Sequence, residues 1–346
     1  MTTKLTSTTI PLIILLALSI LIISACSPQA QITTDPLPTE LPEPTSTKAV
    51  EPTVEVTDTP VPQPTQEQIT IVDGLDREVT LVEPAQKVVS LAPSNTEILF
   101  AIGAGEQVIG RDEFSDYPPQ AADLPSVGGG FGDYNLEAIL DLEPDLVLAA
   151  EINTPEQVKA LEDLGLTVFL LSNPISLDEM YENLLTVAEL TAHISEAEDL
   201  VDTLRSRVSK IESSIESAED QPTVFYELDA TDPSAPWTAG SGTFIDTLIT
   251  MAGGENIAAD MEGQYLQISI EALLIRDPLV ILLGDAAYGI TPESLLDRTG
   301  WNNISAVVND RIYTFDDNLV SRPGPRLVDG LEQLASLLHP ELSPDY

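Results

Sequence analysis

Basic residues are scarce in this chain: 14 Lys and Arg stand against 57 Asp and Glu, giving a formal charge of −43 over 346 residues. A nucleic-acid binder neutralises phosphates with Lys and Arg, so DNA, RNA and anionic lipid surfaces are excluded as partners. There is one Cys and there are two His. One Cys makes no intrachain disulfide, and one Cys with two scattered His cannot build a thiolate or imidazole zinc site. His193 opens a long helical stretch and His339 stands beside Pro340 near the end of the chain, and neither has a GxSxG partner for a nucleophilic triad. The glycines of Val127-Gly128-Gly129-Gly130-Phe131-Gly132 lack the GxGxxG spacing of a dinucleotide site, and no GxxxxGK[ST] run occurs. No resident metal or cofactor is expected.

What is present divides the chain unevenly. Residues 1–25 hold only Lys4 as a charged residue and an apolar run, Ile10 to Ile23. A membrane helix needs roughly 20 apolar residues, and this run is shorter, so it reads as an export leader. A signal anchor with an incidental Cys is the alternative. Residues 26–67 follow with nine prolines, many Thr, Ser, Glu and Gln, and no aromatic residue. Such a composition buries too little apolar surface to offset its ordering entropy, which predicts a disordered tether. Seven of the acids and two of the bases lie in residues 1–67, so 50 acids and 12 bases, a net −38, belong to the remainder.

Residues 68–192 begin with two alternating runs, Ile69 to Val72 and Glu78 to Val82, around Asp73-Gly74, a hairpin signal. Val88 to Ala92 is a buried strand, Pro93-Ser94-Asn95 a loop, and Thr96 the start of a helix for which Ser94 and Glu97 have capping-box spacing. Strands and helices then alternate through Leu171, which predicts an α/β lobe with a mostly parallel sheet. Over residues 193–220, apolar residues at 197, 200, 201, 204, 208, 211 and 215 form one stripe. About three heptads are too few to favour a coiled-coil seam, so this helix is expected to pack across two lobes. Residues 221–346 return to alternating strands and helices, a second α/β lobe.

One segment occurs twice. Asn135-Leu136-Glu137-Ala138-Ile139-Leu140 leading to Pro144-Asp145-Leu146-Val147-Leu148 is echoed by Ser269-Ile270-Glu271-Ala272-Leu273-Leu274 leading to Asp277-Pro278-Leu279-Val280-Ile281. In both, the Glu stands seven residues before the Pro, between apolar residues that face the core, so its carboxylate points outward near a helix start. One copy would be explained by the helix dipole alone. Two copies in two lobes suggest a symmetric docking surface.

With these residues in view, the sequence resembles the solute-binding proteins of ABC importers for cobalamin and iron-siderophores. The carriers are the run from Val88 to Phe100, Ser115-Asp116-Tyr117-Pro118-Pro119, the repeated module, and Gly253-Gly254-Glu255-Asn256. Ile23-Ser24-Ala25-Cys26 is similar to a lipobox, which implies a mature chain acylated at Cys26 and held outside the cytoplasm on the cell membrane. The resemblance implies the class III periplasmic-binding-protein fold, two Rossmann-like lobes bridged by one long α-helix, with the ligand in the cleft between them. It implies that Glu137 and Glu271 dock on a permease dimer, and that the protein is a monomer without enzymatic activity.

The same resemblance places ligand-binding residues in the cleft: Phe114, Phe131 and Tyr134 from the first lobe, and Trp237, Tyr265 and Arg322 from the second. Phe114 matches an aromatic that packs on the corrin ring in cobalamin receptors. Where such receptors carry a second stacking Trp, this chain has glycines and Phe131. Flat aromatic faces suit a macrocycle or catecholate, and Arg suits an amide or carboxylate edge. The expected cargo is a corrinoid, with a ferric siderophore or haem as the alternative. From other classes, a cell-surface α/β hydrolase and a structural surface lipoprotein stand as further alternatives.

Overall fold

A computed structural model describes residues 68–130 and 133–342 of the chain. The leader, Cys26, the tether and Phe131 lie outside the described residues.

The first lobe opens with the hairpin β1 (Ile69–Val72) and β2 (Glu78–Leu81), in antiparallel register with Ile69 opposite Leu81. Its turn is fixed by Asp73, which accepts from the Leu75 and Leu170 amides and from the Arg77 guanidinium. Then come β3 (Val88–Ser90), α1 (Pro93–Ala101), β4 (Val108–Arg111), α2 (Leu136–Asp141), β5 (Leu146–Ala150), α3 (Pro155–Glu162) and β6 (Val168–Leu171). The four strands from β3 to β6 form one parallel sheet in the order β4-β3-β5-β6. Two helices follow, α4 (Leu177–Thr191) and α5 (Ile194–Ile215).

The second lobe contains β7 (Thr223–Glu227), β8 (Trp237–Ala239), α6 (Phe244–Met251), β9 (Glu255–Asn256), β10 (Tyr265–Gln267), α7 (Ile270–Arg276), β11 (Val280–Leu283), α8 (Ser305–Val308), β12 (Ile312–Thr314), α9 (Asn318–Ser321) and α10 (Leu327–Leu338). Its parallel sheet runs β9-β7-β11-β12. In each lobe the second strand of the sheet lies outside the first, and the third and fourth lie on its other side. The lobes therefore share one winding, with right-handed crossover logic applied twice. The repeated module occupies the same place in both: α2 leads into β5 and α7 into β11, each the third strand of its sheet.

Strands that read as unbroken apolar runs are buried on both faces, as parallel sheets require. Along β5, Leu146 and Leu148 face one core while Val147 and Ala149 face another. Along β11, Val280 and Leu282 join the first of these cores, and Ile281 and Leu283 a third. The shared core passes through α5, whose Ala197, Val201, Leu204, Val208 and Ile211 are buried at helical spacing. Helix α5 packs on both α4 and α10, and so it bridges the two lobes.

One local expectation is corrected. Helix α1 starts at Pro93, not Thr96, and Ser94 and Glu97 form no capping box. Proline at the first helical position has the required φ and lacks an amide that would need a partner, so a side-chain cap is dispensable. Glu97 is thereby released for a different bond.

Candidate functional site

The two lobes meet through segments at the carboxyl ends of their strands. The loop after β3 enters α1, and the loop after β4 carries Asp112, Phe114, Ser115 and Asp116. Across the gap, the segment after β12 carries Arg322 and Arg326, and the two sides meet there. This is where an open α/β sheet places ligands.

On the first lobe, a buried polar network shapes the loop. Asp112 accepts from the Phe114 amide at 2.8 Å and from the Ser115 hydroxyl. Ser115 Oγ lies 2.7 Å from Thr96 Oγ1, which donates to Ser90 Oγ at 2.8 Å. Burial pushes the Asp112 carboxyl up, while the Ser115 hydroxyl and Phe114 amide pull it back. The network fixes the Phe114 amide on Asp112, and the residue is 40% exposed. Tyr134 is half-buried; its hydroxyl donates to the Leu91 carbonyl at 3.0 Å and accepts from Asn153 Nδ2 at 2.6 Å, tying the end of β3 to the loop after β5. Its ring covers Gly129, where a Cβ would come within 2.0 Å of Tyr134 Cε1 and where φ is +86°. The glycine run thus gives Tyr134 its seat.

On the second lobe, β8 and β10 form a short antiparallel ribbon in which Trp237 opposes Gln267 and Tyr265 opposes Ala239. That register puts Trp237 and Tyr265 on one face, both exposed, while Thr238 and Leu266 point inward. Burial of the hydroxyl and the nearby Asp317 charge raise the Tyr265 phenol. At the carboxyl end of β7, Glu227 is held by Arg298 at 2.5 and 2.9 Å, and the guanidinium rests 4.6 Å from the Trp301 ring centre. Burial pushes Glu227 up to about 7; Arg298 lowers it and the neighbouring Asp285 raises it again. Asp285 forms part of a 350 Å³ pocket with Ala230, Thr231 and Tyr288 at the ends of β7 and β11.

Arg322 reaches across the cleft. It donates to Asp116 at 2.7 Å, to Glu97 at 3.2 Å and to the Phe114 carbonyl at 3.3 Å. The structure therefore brings Phe114 and Arg322 together, with Trp237 and Tyr265 as a second group on the ribbon. Glu97, Asp112 and Asp116 are not among the ligand-binding residues that the resemblance implies. Glu97 carried a signal, an acid inside the run from Val88 to Phe100, but its spacing to Ser94 offered a local explanation. A cavity of about 730 Å³ lies on the other flank of this contact, walled by Phe100, Leu124, Leu200, Leu204 and Arg326.

The outer surface repeats itself. Asn135 caps α2 by accepting from the Ala138 amide at 3.1 Å, and Ser269 caps α7 by accepting from the Ala272 amide at 3.2 Å. Glu137 and Glu271 follow at the second position of each helix, both exposed, and neither makes an ion pair among the described residues. Each helix is closed by a left-handed residue immediately before Pro, Glu143 with φ 49° and Asp277 with φ 41°. Among the described residues, no group of three or more His, Cys, Asp or Glu is arranged to hold a metal ion.

Two parallel-sheet lobes on one bridging helix, with facing loops at the carboxyl ends of their strands, define a substrate-binding protein of an ABC importer. The sequence profile described as periplasmic binding protein matches residues 88–319, and the chain belongs to that family. It is 33% identical over 278 residues to an uncharacterized ABC transporter substrate-binding lipoprotein, YvrC, of Bacillus subtilis, covering 79% of this chain and 86% of that one. It is 33% identical over 257 residues to a vitamin B12-binding protein of Vibrio cholerae, covering 74% of this chain and 90% of the other. A periplasmic heme-binding protein, RhuT, from Roseiflexus sp. RS-1 superposes with a TM-score of 0.67 at 28% identity, over 75% of this chain and all of that one. The family comprises transport proteins that hand ligand to a permease, and the hydrolase alternative finds no support in these relatives.

Proposed function

We propose that this protein is a lipid-anchored, monomeric receptor that captures a corrinoid outside the cytoplasm and presents it to its permease without chemical turnover. The observation that carries the reading is Phe114, an exposed aromatic residue at the cleft edge whose main-chain carbonyl accepts from Arg322 of the opposite lobe. A corrin is a large flat ring fringed with amides, so one face stacks on an aromatic while amide oxygens accept from a guanidinium. The B12-binding relative supports the same ligand class. Trp237 and Tyr265 supply further aromatic surface from the other lobe, and Tyr134 and Phe131 complete the set of aromatics that the resemblance assigns to the ligand.

Delivery follows from the topology. Helix α2 runs antiparallel to β5 and α7 antiparallel to β11, so both helices begin at the strands' carboxyl ends, the edge that also carries the cleft loops. Glu137 and Glu271 then flank the cleft, and docking of both carboxylates on permease cations puts the bound ligand toward the translocation path. Cys26, as the acylated first residue, and the tether would hold the receptor within reach of its permease.

Calorimetry with cyanocobalamin, haem and a ferric catecholate siderophore tests the ligand. Binding of cyanocobalamin alone, weakened by Phe114→Ala, is the expected outcome; tight binding of haem with none of cyanocobalamin would replace the corrinoid reading. The haem alternative is favoured by one observation, the glycines at 128–130 in place of a second stacking Trp. Glu137→Ala with Glu271→Ala is expected to keep ligand affinity and abolish stimulation of the transporter's ATPase.

A further inference from the structure

We propose that Glu97 is a positioning residue for ligand capture: a buried anion of the first lobe that seats both cleft arginines of the second and thereby sets the width of the cleft. The corrinoid reading above enters only through the choice of probe.

Glu97 lies in α1 and is 2% exposed. Its Oε1 accepts from Arg326 Nη2 at 2.5 Å and from Arg322 Nη1 at 3.2 Å, and its Oε2 accepts from Arg326 Nε at 2.8 Å. Arg326 thus forms a two-point fork on the carboxylate, the geometry in which a guanidinium is most directional. Among the described residues, every ion pair that joins the first lobe directly to the second ends on Arg322 or Arg326, and two of the three end on Glu97. The other pairs made by the bridging helix, Arg207 with Asp329 and Glu332 and Arg205 with Asp178, fasten α5 to one lobe at a time.

The arginines are presented on a stiff turn. Arg322-Pro323-Gly324-Pro325-Arg326 has two fixed φ angles, and the Gly324 amide donates back to the Arg322 carbonyl at 2.8 Å. The Tyr117 ring covers the Arg326 guanidinium at 3.9 Å from its centre. Arg326 is therefore enclosed and committed to Glu97. Arg322 differs: its remaining partners are the Phe114 carbonyl and Asp116, whose side chain is 66% exposed. An incoming hydrogen-bond acceptor, such as an amide oxygen, can displace Asp116 while Glu97 keeps the guanidinium at the Phe114 carbonyl. Charge removal at Glu97 would loosen both arginines and let the lobes sample wider separations, which lowers apparent affinity by the fraction of molecules left competent.

The test uses the full chain carrying Cys26→Ser, with spin labels at Ile152→Cys and Ile275→Cys, positions 68% and 84% exposed on the two lobes. The starting protein is expected to give one narrow interlobe distance. Glu97→Gln should broaden it and weaken cyanocobalamin binding by about tenfold. Arg326→Gln should do the same from the opposite side, so the test survives if the Glu97 variant folds poorly. The double variant should be no worse than either single one, the mark of a shared interaction. An unchanged distance distribution in both single variants would overturn the proposal. If the starting protein binds no cyanocobalamin, the corrinoid reading falls, and the distances alone still decide the role of Glu97.

Discussion

The two lobes have the same winding and the same capped helix before the third strand, yet their cleft edges differ in chemistry. The first lobe contributes anions and hydroxyls there: Glu97, Asp112, Asp116, Ser115 and Thr96. The second contributes the guanidiniums of Arg322 and Arg326, and a further one, Arg298, is buried on Glu227 at the end of β7. On the outside, by contrast, Glu137 and Glu271 repeat each other down to the capping hydrogen bond. A duplicated scaffold thus keeps its symmetry in the two capped helices and loses it at the cleft edge. Opposite charges on the two edges let the lobes form ion pairs directly with one another.

The comparison can be broken most forcefully at Arg298. Both partners of its pair with Glu227 are buried, whereas the first lobe's Arg77 remains partly exposed beside Asp73 and Glu162. Arg298→Ala is expected to cost ~3–5 kcal/mol by chemical denaturation, since it strands a buried carboxylate. Arg77→Ala should cost clearly less, and equal losses would deny the contrast.

A smaller effect separates the lobes by pH. Glu227 in the folded state is raised to about 7 from an ordinary 4.5, so between those two pH values folding takes up a proton. Its stabilising contribution is fully present below about pH 4.5 and is lost as pH rises through 7. Asp73 has the opposite sign. Burial would raise it, but the Arg77 guanidinium and backbone amides hold it below 3.8, so its contribution is present above that pH and lost on acidification. Melting curves should show Glu227→Gln flattening the decline between pH 5 and 8, and Asp73→Asn flattening the decline below pH 4. The smallest effect tests the mirror itself: Asn135→Ala and Ser269→Ala should each cost about 1 kcal/mol. Markedly unequal costs would show that the two modules are alike in shape only.

Much of this was legible in the residues. Apolar runs such as Val280 to Leu283 announced buried strands, the stripe from Ala197 to Ile215 announced the bridging helix, and the repeated Glu-to-Pro spacing placed the module in both lobes. The first-lobe side of the cleft contact was not legible. Glu97 bonds to residues 225 and 229 positions away, and no local period encodes such a partner. Its three-residue spacing from Ser94 matched a cap that Pro93 makes unnecessary. The hydroxyl bonds of Tyr134 to Leu91 and Asn153 were not legible either, since they depend on how β3 and β5 come together.

The bridging helix has a consequence for how the molecule comes apart. Residues of both sheets, α4, α5, α6 and α10 contribute to one continuous apolar cluster. Neither lobe can expose its half of that cluster without stripping the other of contacts. Heating should therefore dismantle both lobes in a single calorimetric transition, with agreement between the calorimetric and van't Hoff enthalpies, despite an architecture that looks like two independent domains.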